Sequence, residues 1–202
     1  MIAIIDYGAG NLRSVAKAIA RLGYEARVTS DPADVLSADV VFLPGVGAAG
    51  DTMDSLVSLG MVGPLRSVIA ADRPFFGICL GLQVLLTFSE EGGGQGCLDV
   101  IPGRVRGLPP RVRVPHIGWN QVVQRVSHPL FAGIPDGANF YFLHSYYADV
   151  EDGALVAAET EYGIRFTSVV VRGNLVATQF HPEKSGTVGL RLFDNFLRHY
   201  LG

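Results

Sequence analysis

The stretch Gly77-Ile78-Cys79-Leu80-Gly81 places a nucleophilic side chain between two small residues. It follows an apolar run at residues 74–78 that predicts a strand, and apolar positions with helical spacing come after it. A nucleophile in this setting is typical of the nucleophile elbow, a tight strand-to-helix turn in which bulkier neighbours would clash. The pattern predicts that Cys79 attacks a carbonyl group while the backbone N–H of Leu80 faces the resulting oxyanion. The positions with helical spacing are Leu82, Leu85, Leu86 and Phe88.

The reactivity of Cys79 depends on its surroundings. A helix that starts at the elbow directs its N-terminal N–H groups and its positive dipole end at the sulfur, which lowers the pKa of a thiol. The alternative interpretation is a cysteine that is simply buried at the end of a strand, because cysteine is among the most buried residue types. A neighbouring base that accepts the thiol proton would favour the nucleophile.

The sequence His181-Pro182-Glu183 supplies such a base and a carboxylate to orient it. Pro182 restricts the residue before it to extended conformations, and side chains two apart in an extended segment share one face. Glu183 can therefore hydrogen-bond one imidazole nitrogen of His181 and fix its tautomer, which leaves the other nitrogen for the thiol proton. Cys79, His181 and Glu183 together predict an acyl-transfer triad. A lone histidine in a turn is the alternative interpretation for His181.

The elements that must position these residues alternate between strand and helix in the first half of the chain. Continuous apolar strands of this kind suit a parallel sheet with helices on both faces, so the sequence predicts an α/β fold. Because parallel strands deliver their C-terminal loops to one edge, Cys79 and His181 can meet there. The second half is richer in strands and ends in a helix with Leu192, Phe193 and Phe196 on one stripe. The predicted strands are 2–5, 25–29, 39–43, 74–78, 121–126, 139–142, 155–159, 164–171 and 175–179, and the predicted helices include 12–22 and a stretch to about 71.

The composition excludes several classes of protein. The 202 residues suit one domain over 1–202, and 49% hydrophobic with 17% charged residues argues against disorder. A count of 25 Gly and 11 Pro argues against a coiled coil. The net charge of −3 provides no attraction to nucleic acid or to a membrane surface. We expect no transmembrane helix, and the N-terminus predicts a strand and not a signal peptide, so the expected location is the cytoplasm.

Other candidate sites are weaker. Cys97 has no nearby base, and His128 and His199 are interpreted as structural or solvated. Because no Cys/His cluster has the spacing of metal ligands, we expect no metal. Residues 45–50 match the dinucleotide pattern G-x-G-x-x-G, but they follow the third predicted strand and lack the acidic residue that should come later. We therefore expect no nucleotide cofactor and interpret these glycines as a mobile backbone loop beside the thiol. Residues 92–96 are glycine-rich and predict a surface loop.

The cysteine and histidine motifs resemble those of the triad-type (class I) glutamine amidotransferases, which share a flavodoxin-like, doubly wound sheet. Further stretches along the whole chain narrow this resemblance to the glutaminase subunits of imidazole glycerol phosphate synthases, from histidine biosynthesis. These stretches are residues 6–11, 44–47, 115–120, 141–146 and 181–185.

The resemblance implies a reaction and roles for particular residues. Cys79 would attack the side-chain amide of glutamine, His181 would protonate the departing ammonia, and water would then release glutamate from the thioester. The implied oxyanion donors are the backbone N–H groups of Leu80 and of the loop containing Val46 and Gly47. The implied glutamine contacts are Gln83, Ser145 and Tyr146.

The resemblance also implies a partner. Ammonia must reach its acceptor without mixing with solvent, and in this family a separate (βα)8-barrel cyclase subunit docks over the glutaminase site. The chain is too short to contain such a barrel, which needs about 250 residues, so a heterodimer is expected. The implied interface residues are Asn11, Trp119, Asn120, Tyr141 and Lys184. Burial in the core is the alternative for Trp119.

The glycines around Val46 suggest how a resting site would be kept inactive. Glycine tolerates the positive φ angles that a peptide flip requires, and a flip exchanges a carbonyl for an N–H at the oxyanion site. We therefore expect low activity in the free chain and activation when the barrel binds its ligand.

Three rival functions stay open: a glutaminase for another synthase such as pyridoxal phosphate synthase, a lone cysteine hydrolase of peptides or γ-glutamyl compounds, and a non-catalytic scaffold.

Overall fold

A thirteen-stranded sheet organises the computed structural model, which describes residues 1–8 and 10–201. The strands are β1 (Ile2–Ile5), β2 (Ala26–Thr29), β3 (Val40–Gly45), β4 (Phe75–Cys79), β5 (Leu86–Ser89), β6 (Gln95–Gly96), β7 (Ile101–Gly107), β8 (His116–Gln124), β9 (Ala138–His144), β10 (Tyr146–Val150), β11 (Val156–Glu161), β12 (Arg165–Arg172) and β13 (Leu175–Thr178). The helices are α1 (Leu12–Arg21), α2 (Pro32–Ser37), α3 (Ala49–Ser58), α4 (Val62–Ala70), α5 (Leu80–Gln83) and α6 (Gly186–Leu201).

Five strands form the parallel part of the sheet, in the order β2-β1-β3-β4-β13. This is the strand order of flavodoxin-like folds, with the last strand contributed from late in the chain. The register pairs Gly45 at the end of β3 with Cys79 at the end of β4. The loops after β3, β4 and β13 therefore emerge at one edge, which is where the sequence places its chemistry.

Helices cover both faces of this parallel part, as the continuous apolar strands predict. Ile2 and Ile4 of β1 pack in one buried cluster with residues of α1 and α6. Ala3 and Ile5, which point the other way, pack in a second cluster with residues of α3 and α4. The α/β, doubly wound architecture is thus confirmed. None of the helices in the described part of the chain is long and apolar enough to cross a membrane.

The added strands of the second half are largely antiparallel, as predicted. β12 pairs antiparallel with β13, β11 and β10, and β10 continues to β7. β8 and β9 pair antiparallel over seven residues of each strand, and β8 also contacts β11. This arrangement brings the start of β8 and the end of β9 to the edge where Cys79 lies.

The helix expected after Cys79 is shorter than predicted. α5 ends at Gln83, and Leu86 and Phe88 belong to strand β5, which pairs in parallel with β7. The prediction of helical character at Leu85, Leu86 and Phe88 is therefore wrong, because a short apolar run fits either structure and pairing with a distant strand decides between them. Strands β7 and β10 and helix α2 are also absent from the prediction. Part of the expected loop at 92–96 forms strand β6.

Candidate active site

Cys79 lies at the junction of β4 and α5 in a backbone conformation that is rare for a side-chain-bearing residue. Its φ is 55° and its ψ is −103°. A Cβ atom on Gly77 would lie 2.9 Å from the carbonyl oxygen of Gly81, and one on Gly81 would collide with the carbonyl oxygen of Leu43. The turn therefore requires glycine on both sides. Strained geometry of this kind is characteristic of nucleophile elbows, which hold the nucleophile at the top of a sheet.

His181 and Glu183 form a buried hydrogen-bonded pair. Nδ1 of His181 lies 2.9 Å from Oε1 of Glu183, and both side chains are almost fully buried. Because the carboxylate accepts, Nδ1 carries a proton, and Nε2 has no hydrogen-bond partner among the described residues. Burial lowers the pKa of His181, but the adjacent Cys79 and Glu183 outweigh this effect and raise it to about 10. A raised pKa favours a protonated imidazole at His181, next to the sulfur of Cys79.

Gln179 approaches the sulfur of Cys79 from within the protein. Its Nε2 lies 3.7 Å from Sγ, and its Oε1 accepts hydrogen bonds from the amides of Ala148 and Gln83, each at 3.3 Å. The backbone N–H of Ala148 can only donate, so it fixes the orientation of the Gln179 amide and directs N–H at the sulfur. No local pattern marks Gln179 as a site residue, although it lies two residues before His181.

A cavity of about 300 Å³ opens beside Cys79. Its volume lies at the lower end of the range for small-molecule sites, which suits an amino acid. Every residue expected to hold glutamine or the oxyanion lines it: Val46, Gly47, Leu80, Gln83, Ser145 and Tyr146. Glu91, Pro115, Leu143 and His144 also line the cavity and were not predicted.

The side-chain amide nitrogen of Gln83 donates its hydrogen bonds to other groups of the protein. Its Nε2 donates to the backbone carbonyl of Tyr146 at 2.8 Å and to Oε1 of Gln179 at 3.3 Å. The amide nitrogen has two protons, so these contacts use both. Only the Oε1 atom of Gln83 is left to accept a hydrogen bond from a ligand in the cavity.

Glu91 brings a carboxylate to the cavity wall from the turn Glu91–Gly93. Its Oε2 accepts a hydrogen bond of 2.8 Å from the backbone N–H of Ala49, the first residue of α3. This contact ties the glycine-rich turn to the loop that contains Val46 and Gly47. No local pattern marks Glu91, because 42 residues separate it from Ala49.

Gly45 and Gly47, in the loop after β3, are not equivalent, although both were expected to allow a peptide flip. Only Gly47 has a positive φ. Gly47 has a φ of 107° and no atom within 4 Å of a Cβ built on it. Gly45 is required for a different reason, since its Cβ would lie 2.6 Å from the hydroxyl of Tyr7 and 2.8 Å from Cβ of Leu80. That hydroxyl is buried without a hydrogen-bond partner in the described part of the chain, and burial raises the pKa of Tyr7 to about 12.

Strand β8 presents an exposed apolar face beside the cavity. Ile117 is 58% exposed and Trp119 is 57% exposed, so the interpretation of Trp119 as a core residue is wrong. Tyr141 of β9 lies opposite Trp119, with 6.0 Å between the ring centroids. We call Ile117, Trp119, Val123 and Tyr141 the β8 face.

The other expected interface residues lie elsewhere. Asn120 alternates to the opposite side of β8, where its amide donates to the carbonyl of Glu161 at 3.0 Å. Asn11 lies near the triad, with Nδ2 3.5 Å from Oε1 of Glu183, and Lys184 is half-buried next to Glu183.

The residues set aside in the sequence take ordinary positions. Cys97 is buried, and burial raises its pKa to about 11, which disfavours a thiolate at neutral pH. Nδ1 of His128 accepts a hydrogen bond of 3.1 Å from the backbone of Leu130, and His199 is exposed on α6. Across residues 1–8 and 10–201, no group of three or more His, Cys, Asp and Glu residues could hold a metal ion.

Comparison with known proteins identifies the family. The model of the family described as glutamine amidotransferase class-I matches residues 3–200. The chain is 54% identical over 202 residues to the imidazole glycerol phosphate synthase subunit HisH of Dehalococcoides mccartyi, covering 100% of this chain and 98% of that protein. It is 56% identical over 202 residues to the subunit of the same name from Chloroflexus aurantiacus, covering 98% and 95%.

Solved structures agree on the fold. A crystal structure of a glutamine amidotransferase superposes with a TM-score of 0.74 at 20% identity, covering 98% of both chains. The structure of PurLQS from Thermotoga maritima superposes with a TM-score of 0.76 at 16% identity, covering 98% of this chain and 97% of the other. The chain belongs to the class-I glutamine amidotransferase family and, within it, to the HisH subunits of imidazole glycerol phosphate synthase.

Proposed function

We propose that the chain is the glutaminase subunit of an imidazole glycerol phosphate synthase. It hydrolyses glutamine to glutamate and ammonia, and passes the ammonia to a (βα)8-barrel cyclase subunit. The cyclase makes imidazole glycerol phosphate and aminoimidazole carboxamide ribotide. The observation that carries the proposal is the position of Cys79 on the wall of an amino-acid-sized cavity, with the buried His181–Glu183 pair next to it, in a chain that matches HisH proteins over its full length.

The proposed reaction uses Cys79 as the nucleophile and His181 as the group that donates and accepts protons. The Cys79 thiolate attacks the side-chain carbonyl carbon of glutamine and forms a tetrahedral intermediate. Protonated His181 gives its Nε2 proton to the amide nitrogen, the C–N bond breaks, and ammonia leaves a glutamyl thioester. Neutral His181 then takes a proton from water, which attacks the thioester and releases glutamate with the thiolate restored. Glu183 holds the imidazole through Nδ1 during both steps.

Charge on the intermediate requires donors at the cavity wall. The backbone N–H groups of Leu80, Val46 and Gly47 are the candidates, since all three residues line the cavity beside Cys79. Removal of one such donor from an oxyanion hole costs about 10²–10³ in rate. A flip of the peptide in the Gly45-Val46-Gly47 loop would therefore switch the enzyme by that order.

The polar groups of the cavity suit free glutamine. We assign the Glu91 carboxylate to the α-ammonium group, because it is the acidic side chain on the wall. The free Oε1 of Gln83 accepts a second hydrogen bond from the same substrate. Ser145 and Tyr146 also line the cavity and are assigned to the rest of the amino acid.

The β8 face is the proposed docking surface for the barrel subunit. Its exposed aromatic and aliphatic side chains, Trp119 above all, have the character of interface anchors. Asn11 and Lys184, beside Glu183, complete the proposed interface near the triad, whereas Asn120 faces the other side of β8 and would lie outside it. Residues 1–202 act as one glutaminase domain, and a catalytic free thiol suits the reducing cytoplasm.

The test is a glutaminase assay of the chain alone, with the barrel subunit, and with the barrel subunit and its ligand. The proposal expects low activity in the free chain and an increase of about 10²–10³ in the liganded complex. Full activity without a partner would favour the lone hydrolase. Activation by the barrel subunits of a pyridoxal phosphate synthase, and not by the cyclase, would favour the other synthase. No activity in any mixture would favour the scaffold.

A further inference from the structure

Two buried histidines next to the cavity have no part in the triad. His144 ends β9 and lines the cavity, and His116 begins β8 directly opposite it. They are 6% and 3% exposed. Nδ1 of His116 lies 3.1 Å from Nε2 of His144. Burial of two imidazoles is costly unless their nitrogens are hydrogen-bonded. The pair links strand β8, which contains His116, to the cavity wall, which contains His144.

The tautomers of both rings follow from their partners. Nδ1 of His144 lies 2.8 Å from the backbone carbonyl of Tyr146, which can only accept, so this nitrogen carries the proton. Nε2 of His144 is then an acceptor, so Nδ1 of His116 must donate the hydrogen bond between the two rings. Nε2 of His116 becomes an acceptor in turn, and the side-chain NH₂ of Asn120 lies 3.4 Å away. All donors therefore point one way, from Asn120 to Tyr146.

The chain of hydrogen bonds exists only while both rings are neutral. Burial lowers the pKa of His116 to about 4 and is also the main cause that lowers the pKa of His144 to about 3. The ring of His116 is stacked on Tyr162 at 3.9 Å and on Phe142 at 4.9 Å between centroids. Stacking of this kind holds the ring plane, so His116 shifts only together with its neighbours.

The two ends of the chain lie at different functional surfaces. Asn120 adjoins Trp119 of the β8 face in sequence, and its amide is also held by the Glu161 carbonyl. At the other end, the Tyr146 carbonyl accepts from both His144 and Gln83, which share it at 2.8 Å each. A displacement of β8 by a docked partner would thus reach the residue whose Oε1 faces the substrate.

We propose that His116 and His144 are positioning residues, a fixed-tautomer imidazole pair that couples the β8 strand to the Tyr146–Gln83 wall of the glutamine cavity. This inference rests on the proposed function for its glutamine site and its partner. The coupling runs through contiguous hydrogen bonds from Asn120 through both histidines to the Tyr146 carbonyl and Gln83. Neither ring is hydrogen-bonded to Cys79, His181 or Glu183 in the described part of the chain, so we expect the pair to act through Gln83 on binding and activation.

The first test is ¹⁵N NMR of the full chain labelled at histidine, at pH 6. The expected spectrum has both His116 and His144 neutral, with the proton on Nδ1 in each ring. An Nε2–H tautomer or a charged ring at either position would overturn the proposal. This measurement does not depend on glutaminase activity, so it separates failure of the pair from failure of the proposed function.

The second test uses His116→Phe, which keeps an aromatic ring between Tyr162 and Phe142 but removes both ring nitrogens. In the complex with the barrel subunit and its ligand, we expect KM for glutamine to rise about fivefold to tenfold, the effect of one lost hydrogen bond. Alkylation of Cys79 by iodoacetamide should change by less than about twofold, since the triad is untouched. An unchanged KM and an unchanged activation ratio would overturn the proposal.

Two variants of His144 test its two ring nitrogens separately. His144→Asn places an amide N–H near the position of Nδ1 and retains the bond to the Tyr146 carbonyl, whereas His144→Gln reaches the position of Nε2. We expect KM to rise more in His144→Gln than in His144→Asn, by about fivefold. The opposite order would overturn the assignment of Nδ1 to Tyr146. A wild-type complex without glutaminase activity would overturn the proposed function. The NMR spectrum would then still test the tautomers and the neutral state of His116 and His144.

Discussion

The hydroxyl group of Tyr7 occupies the space that a side chain on Gly45 would need. A Cβ atom on Gly45 would lie 2.6 Å from this oxygen, and the oxygen has no hydrogen-bond partner among the described residues. Gly45 also pairs with Cys79 across the sheet. The phenol, the glycine and the nucleophile are therefore packed against one another below the proposed oxyanion loop, and a change in one is expected to affect the others.

We expect Gly45→Ala to lower the free energy of unfolding by about 1–3 kcal/mol through overpacking. Tyr7→Phe alone should change it by less than about 1.5 kcal/mol, because it keeps the ring and removes only the hydroxyl group, near Thr52 and the backbone of Val46. The double variant should be less destabilised than the sum of the two, since Phe at position 7 vacates part of the space. Urea unfolding of the four proteins measures this coupling. Strict additivity would show that the Tyr7 hydroxyl is not what Gly45 must avoid.

Gly47 allows a separate test of the proposed peptide flip. Its φ of 107° is strained for any other residue, and a Cβ there meets open space. Gly47→Val should lower the ratio of liganded to free glutaminase activity by about tenfold or more, with a smaller change in KM, because a β-branched residue restricts the backbone. Ala48→Val is the matched control, since Ala48 has an extended backbone that valine adopts readily. Equal activation ratios in the two variants would exclude a flip at this loop.

The amide of Gln179 is expected to stabilise the Cys79 thiolate. Gln179→Glu preserves the shape and the acceptor contacts to Ala148 and Gln83 but places a carboxylate oxygen where an N–H faced the sulfur. Repulsion should reduce the rate of Cys79 alkylation at pH 7 by about tenfold or more. Gln121→Glu, on exposed β8, adds the same charge at a distance and should have no such effect. Equal alkylation rates for the two variants would show that Gln179 has no influence on the thiolate.

Local sequence predicts the contacts of this site between residues that are close in the chain, but not the contacts between distant residues. His181 and Glu183 are two residues apart, and the elbow around Cys79 is a continuous stretch, so spacing alone predicts their arrangement. Gln83 contacts Tyr146 and Glu91 contacts Ala49 across separations of 63 and 42 residues. Such contacts depend on strand order, which periodicity does not specify. For the same reason Leu86 and Phe88 have a pattern that fits a helix, although pairing with β7 places them in a strand.

Acid should destabilise the fold through His116 and His144. Their pKa values in the folded state, about 4 and about 3, lie below the usual 6.5, so the unfolded state binds more protons as the pH falls from about 6.5. Stability is therefore lost on acidification between about pH 6.5 and 4, by up to about 1.4 kcal/mol per pH unit for each histidine. His116→Phe should reduce this slope in urea unfolding, whereas His199→Gln, at an exposed position, should not. Equal slopes in all three proteins would contradict neutral burial of His116.

The proposed chemistry is tested most directly by synthesis in the complex of the barrel subunit with Cys79→Ala. The measurement compares formation of imidazole glycerol phosphate from glutamine with its formation from added ammonium salt. We expect glutamine-dependent synthesis to fall to background and ammonia-dependent synthesis to remain, because the cyclase site lies on the other chain. Cys97→Ala, which removes the thiol that burial keeps protonated, should retain both activities. Glutamine-driven turnover well above background in Cys79→Ala would contradict the assignment of Cys79 as the nucleophile.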